Sequence, residues 1–183
     1  MPDIPIPANI DQVTQEWLTQ VMALQPGADA CRIIGRQVED LNVEGGFISQ
    51  LARLTLEYEK KPDGLPDSVI VKLPPLDDTS RNNSKALEHY QREVAFYKYF
   101  AEDCPANPPK PYHAEIDANA DNFVIVIEDI GSHDAQKIFN GCSVAEAKLI
   151  LRALGGFHAK YWRERNGDVP FDVEKTVADV ADY

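Results

Sequence analysis

Ser68-Val69-Ile70-Val71-Lys72-Leu73 places a lysine inside a short apolar run. The run follows Lys61-Pro62-Asp63-Gly64, where proline presets one dihedral and glycine admits positive φ, so a turn hands the chain over to a strand. Strand alternation then sends Lys72 out on the same face as Ile70. An unpaired buried ammonium costs several kcal/mol, so a lysine here either pairs with an anion or snorkels its long stem to water.

Working outward, Ala52, Leu54, Leu56 and Tyr58 alternate with Arg53, Thr55, Glu57 and Glu59, the period of a strand with one wet face. A preceding strand around residues 33–41 would join it through Asn42-Val43-Glu44-Gly45-Gly46, giving a glycine-tipped hairpin. Two further strands, Pro111 to Ile116 and Phe123 to Glu128, flank the turn-rich Asp117-Ala118-Asn119-Ala120-Asp121-Asn122. Five strands joined mostly by short turns predict an antiparallel sheet, and the fold class is α+β.

One helix, about Ser84 to Glu102, is expected to interrupt the sheet. On it Glu93 has Tyr90, Phe96, Tyr97 and Phe100 at i−3, i+3, i+4 and i+7, so its carboxylate shares the apolar face. Pairing of Glu93 with Lys72 explains both residues. Surface pairing of Glu93 with Lys98 or Arg92 is the alternative.

Before the sheet, Ile4-Pro5-Ile6-Pro7 predicts an extended arm, and Asn9 or Asp11 can cap a helix carrying Val13, Trp17, Leu18 and Val21. After it, Ser143-Val144-Ala145-Glu146 is a capping box. The helix it opens runs to about Arg165 with Val144, Ala147, Leu151, Leu154, His158 and Tyr161 along one face, and His158 reads as a packing residue. The chain divides into an arm and helix at 1–30, a sheet unit at 31–130 and a helical segment at 131–183.

Composition narrows the functions available. The 183 residues carry 18 Lys+Arg against 30 Asp+Glu, a formal charge of −12. Such a surface repels phosphate backbones and anionic lipid heads, which argues against nucleic-acid and membrane-surface binding. No lysine or arginine precedes Arg32, and the apolar run Phe123 to Ile127 is far short of the roughly 20 residues of a membrane helix. The expected location is the cytoplasm. Cys31, Cys104 and Cys142 are widely spaced and lack any C-x-x-C pattern, so they read as reduced thiols.

Other segments carry weaker chemistry. Gly45-Gly46 allows backbone amides to approach a phosphate, with the Ser49 hydroxyl just beyond, or is simply a tight turn. Phe123-Val124-Ile125-Val126-Ile127-Glu128-Asp129-Ile130 ends in two carboxylates before Gly131. Backbone groups at that end suit a purine edge, or the strand merely leaves the sheet into water.

Taken in order, Gly45-Gly46-Phe47-Ile48-Ser49, Val69-Ile70-Val71-Lys72, Arg92-Glu93, Ile127-Glu128-Asp129-Ile130-Gly131 and Leu154-Gly155-Gly156-Phe157-His158-Ala159-Lys160-Tyr161-Trp162 resemble the aminoglycoside phosphotransferase and choline-kinase superfamily. Within it the sequence most resembles the ecdysteroid-kinase-like branch, over about residues 10 to 165. The resemblance implies a protein-kinase-like N-terminal lobe of five antiparallel strands and one helix, then a hinge and a helical C-terminal lobe. It implies that Lys72 holds the α- and β-phosphates of ATP and that Glu93 orients it. It likewise places Gly45, Gly46 and Ser49 in the phosphate-covering loop and Glu128, Asp129 and Ile130 at the adenine-binding hinge.

The sequence departs from the family pattern in two places. The loop lacks a full G-x-G-x-x-G, and no H-G-D-x-x-x-x-N catalytic loop or later metal-binding aspartate occurs in the sequence. Asn166-Gly167-Asp168 imitates that loop, but asparagine replaces the histidine and it comes too soon after the long helix, so Asp168 is read as a decoy. The expectation is the N-terminal part of an ATP-dependent small-molecule kinase, with an unknown alcohol as acceptor and Mg²⁺ bound only with the rest of the second lobe. Alone it would be inactive. The alternative is a non-catalytic nucleotide-binding or protein-interaction module whose uncovered lobe face binds a partner or a second copy.

Overall fold

The computed structural model describes residues 4–41, 49–86, 88–131 and 141–161. Within them β1 (Ile33–Asp40), β2 (Gln50–Tyr58), β3 (Ser68–Leu73), β4 (Pro111–Ile116) and β5 (Phe123–Glu128) form one antiparallel sheet in the order β1-β2-β3-β5-β4. The excursion between β3 and β4 carries α2 (Asp78–Ala86) and α3 (His89–Tyr99), and β5 returns to fill the position beside β3. Before the sheet stands α1 (Gln15–Met22), and after it α4 (Val144–Tyr161). The α+β class and the five-stranded sheet agree with the sequence.

Register decides which residues share a face. Leu51 pairs with Lys72 and Arg53 with Ile70 across β2 and β3, while Lys72 pairs with Ile125 and Ile70 with Ile127 across β3 and β5. These side chains lie on one face of the sheet, and the alternate set, Ala52, Leu54, Val69, Val71, Leu73, Val124 and Val126, lies on the other.

The second face is the main core, sealed by Trp17, Leu18, Val21 and Met22 of α1 and by Ile4 of the arm. The Trp17 indole N–H donates to the Pro5 carbonyl, tying the arm down. Among the described residues the first face is covered only in part: Tyr90 and Val94 of α3 pack on Ala114, Phe123 and Ile125 of β4 and β5. Leu51, Arg53, Ile70 and Lys72, on β2 and β3, remain half-buried. The helix therefore leaves a sheltered strip beside it.

Three local expectations need correction. Asn9 does cap a helix, but only the 3-10 turn Ile10–Gln12, after which Val13 leaves helical geometry (φ −78°, ψ 67°) and Thr14 starts α1 by accepting from Trp17 N–H. The single helix expected from Ser84 to Glu102 is two helices. Glu88 has φ +55°, a left-handed conformation that cannot continue a right-handed helix, and α3 begins directly after it. Helix α2 starts before the expected Ser84 and is held by tertiary contacts: Arg81 donates to the carbonyls of Pro75 and Asp121, and Lys85 pairs with the Asp121 carboxylate.

The third correction concerns α4. Its capping box forms, with Glu146 accepting from Ser143 N–H and Ser143 Oγ from Glu146 N–H. Phe157 and Tyr161 pack against Phe96 and Phe100 of α3, yet Ile150 and Leu154, on the same stripe at i, i+4, i+7 and i+11, are 60% and 46% exposed. His158 is exposed rather than packed in a core. The three cysteines are free thiols, and no described helix is long and apolar enough to cross a membrane.

Candidate functional site

Lys72 reaches across the uncovered strip to α3. Its ammonium donates to both carboxylate oxygens of Glu93, at 2.7 Å to Oε1 and 2.6 Å to Oε2. The lysine side chain is 23% exposed and the glutamate 33%, so water reaches the pair without flooding it. The surface alternative falls: Lys98 pairs instead with Glu115 of β4. Burial of Tyr90 and Val94 to either side orients Glu93 toward the sheet.

Of the other described residues selected from the sequence, only Ser49 and Asp129 fall on this side of the sheet. By alternation Ser49, one residue before β2, lies on the side of Leu51 and Arg53. Gly45 and Gly46 lie outside the described residues. Glu128 faces away into solvent, its carboxylate accepting from Lys110 N–H. Ile130 is 55% exposed. Asp129 is the opposite, with a side chain only 8% exposed.

The Asp129 carboxylate is heavily engaged. It accepts from Ser68 Oγ at 2.7 Å, from Arg53 Nε at 2.7 Å and from the Gly131 amide at 3.0 Å. Burial pushes its carboxyl up, but the Ser68 hydroxyl and the Arg53 guanidinium outweigh that and hold it below the ordinary value of 3.8. Arg53 also donates to Glu39 of β1 at 2.7 Å. Neither Arg53 nor Ser68 was singled out from the sequence, because in β2 Arg53 falls among residues that read as a wet face. The available signal was register: once the Lys61 to Gly64 turn sets β2 against β3, Arg53 must share a face with Lys72.

The result is a strip with distinct ends. Lys72 and Glu93 occupy one end, half-buried Ile70 and Ile127 lie between, and Ser68, Asp129 and Arg53 close the other. Ser68 and Lys72 are four residues apart on one strand, about 13 Å at the usual rise. A sheltered cation oriented by a carboxylate is suited to hold an oxyanion, and the apolar middle suits a flat ring. A cavity of about 970 Å³ lies elsewhere, along the β4 edge between Ile4, Leu24, Tyr97, Tyr112, His113 and Ile116. Charge and geometry, not cavity size, locate the site.

The ecdysteroid kinase-like family matches residues 44–163, well over half of the 183 residues. The chain belongs to the ecdysteroid kinase-like family. Neither a curated protein nor a solved structure matches it. The family span begins between β1 and β2 and includes Lys72, Glu93 and the Glu128 to Ile130 segment.

Proposed function

We propose that this chain is the nucleotide-binding part of an ATP-dependent small-molecule kinase that transfers a phosphoryl group to a hydroxyl. The observation that carries the reading is the Lys72–Glu93 pair at one end of a sheltered strip beside α3. In this reading Lys72 neutralises the α- and β-phosphates and Glu93 holds the ammonium forward. Gly45, Gly46 and Ser49 cover the phosphates, the base rests on Ile70 and Ile127, and residues 128–130 border it as the hinge. Residues 1–30, 31–130 and 131–183 serve as arm, lobe and start of the helical part.

Phosphoryl transfer also needs a carboxylate to accept the hydroxyl proton and oxygen ligands for Mg²⁺. The 183 residues contain no H-G-D-x-x-x-x-N pattern, and among the described residues no group of three or more His, Cys, Asp and Glu is placed to hold a metal ion. The described residues therefore offer Mg²⁺ no ready-made set of three protein ligands, and a nucleotide's phosphates would supply much of its coordination. The chain binds nucleotide in the cytoplasm and relies on sequence outside these residues for transfer to its alcohol acceptor.

Thermal unfolding of the full chain with and without ATP and Mg²⁺ tests this. A concentration-dependent rise in Tm, abolished by Lys72→Ala, is expected. Equal Tm with and without nucleotide for the wild-type chain would sink the reading. A second reading, a non-catalytic module that self-associates, is favoured by the exposed Ile150, Leu151 and Leu154 of α4. It requires dimer formation in sedimentation that Leu154→Glu disrupts, with no nucleotide effect on Tm.

A further inference from the structure

Arg53 is a cation beside a strip suited to a triphosphate, yet its charge is already committed. Its guanidinium donates through Nε to Asp129 and through Nη1 to Glu39, both at 2.7 Å, and its side chain is 21% exposed. Two carboxylates on one guanidinium leave little positive charge for a phosphate. The Asp129 oxygen that takes Arg53 Nε also takes the Ser68 hydroxyl, while the other oxygen turns back to accept the Gly131 amide two residues on. That last bond is an Asx-type turn, and Gly131 occupies the φ (+86°) that it needs without steric cost.

We infer that Arg53 is a positioning residue which, through Asp129, sets the backbone turn at residues 129–131 and thereby the base-recognising edge of the site. This rests on the proposed nucleotide binding and sharpens it. Asp129 contacts no base with its carboxylate; the carboxylate is the peg by which β2 and β3 hold the hinge. The sheet and the hinge then move as one piece, and the shape presented to the base depends on a residue two strands away. Lysine cannot reproduce the fork, because an ammonium has no pair of fixed donors to address Asp129 and Glu39 at once.

Two measurements on the full chain test it. In hydrogen exchange the Gly131 amide is expected to exchange at least tenfold faster in Arg53→Gln than in wild type, with Ser68→Ala giving a smaller acceleration. In titrations, Arg53→Gln is expected to weaken ATP at least tenfold while leaving inorganic tripolyphosphate within about twofold, and Arg53→Lys to recover only part of the loss. Arg32→Gln is the control, since the Arg32–Glu59 pair is 67% and 60% exposed and neither residue bonds to Arg53, Ser68 or Asp129. Equal loss of ATP and tripolyphosphate makes Arg53 a phosphate ligand and overturns the inference. Unchanged Gly131 exchange in both Arg53→Gln and Ser68→Ala overturns it as well. A wild-type chain that binds neither probe defeats the nucleotide reading and the base-directed half of the inference. The exchange measurement still decides whether Arg53 holds the turn.

Discussion

Lys72 Nζ sits between the two carboxylate oxygens of Glu93, bridging the third strand and the helix packed beside it at 2.6 and 2.7 Å. Each residue answers a problem posed by the other. The strand places an ammonium on an apolar face, and the helix places a carboxylate on its packed side. Because water still reaches both, the pair contributes modestly to stability and mainly fixes where the ammonium stands.

Glu93→Gln keeps the shape and one acceptor oxygen but removes the charge that holds Lys72 forward. ATP affinity should fall about tenfold, the equivalent of ~1.4 kcal/mol, while the unfolding free energy changes by about 1 kcal/mol or less. Calorimetric titration beside urea denaturation separates the two. A large stability loss with unaltered nucleotide affinity would make the pair purely structural.

The smaller core has little redundancy. Phe123 is fully buried and its ring lies 4.4 Å from that of Tyr90, joining β5 to α3. Phe123→Ala should cost about 3–5 kcal/mol, through lost transfer energy and an unfilled cavity. Val38→Ala, at a position 46% exposed on β1, should stay within about 0.5 kcal/mol. Denaturant midpoints compare them directly.

His113 supplies a pH signature. Burial against Trp17 pushes its imidazole below the ordinary 6.5, with Glu115 opposing and Lys98 adding to the effect. The folded chain thus holds the ring neutral while the unfolded chain protonates it below about 6.5. Its contribution to stability is complete above that pH and is lost progressively as pH falls toward the depressed folded value. Tm measured from pH 7.5 to 5 should drop less steeply in His113→Gln than in wild type; parallel curves would refute the assignment.

Helix α1 depends on one hydroxyl. Thr14 Oγ1 accepts the Trp17 amide, and α1 seals the main core, so Thr14→Ala should destabilise by about 1 kcal/mol. Asn9→Ala, which releases only the 3-10 turn, should cost less. Thermal unfolding of the two variants ranks them.

The sequence alone located all five strands, because alternation and turn chemistry are local signals, and it named Lys72 and Glu93 from the apolar neighbours of each. It also supplied the family resemblance through the order of short motifs. It could not show the break at Glu88, since a left-handed residue there carries no glycine or asparagine to mark it. Nor could it lift Arg53 from an ordinary polar alternation. Tertiary structure decided those points. The pairing of β2 with β3, and of β3 with β5, brings Arg53, Ser68 and Asp129 together from positions up to 76 residues apart. Contacts between strands depend on register, and register belongs to the assembled sheet rather than to any one segment.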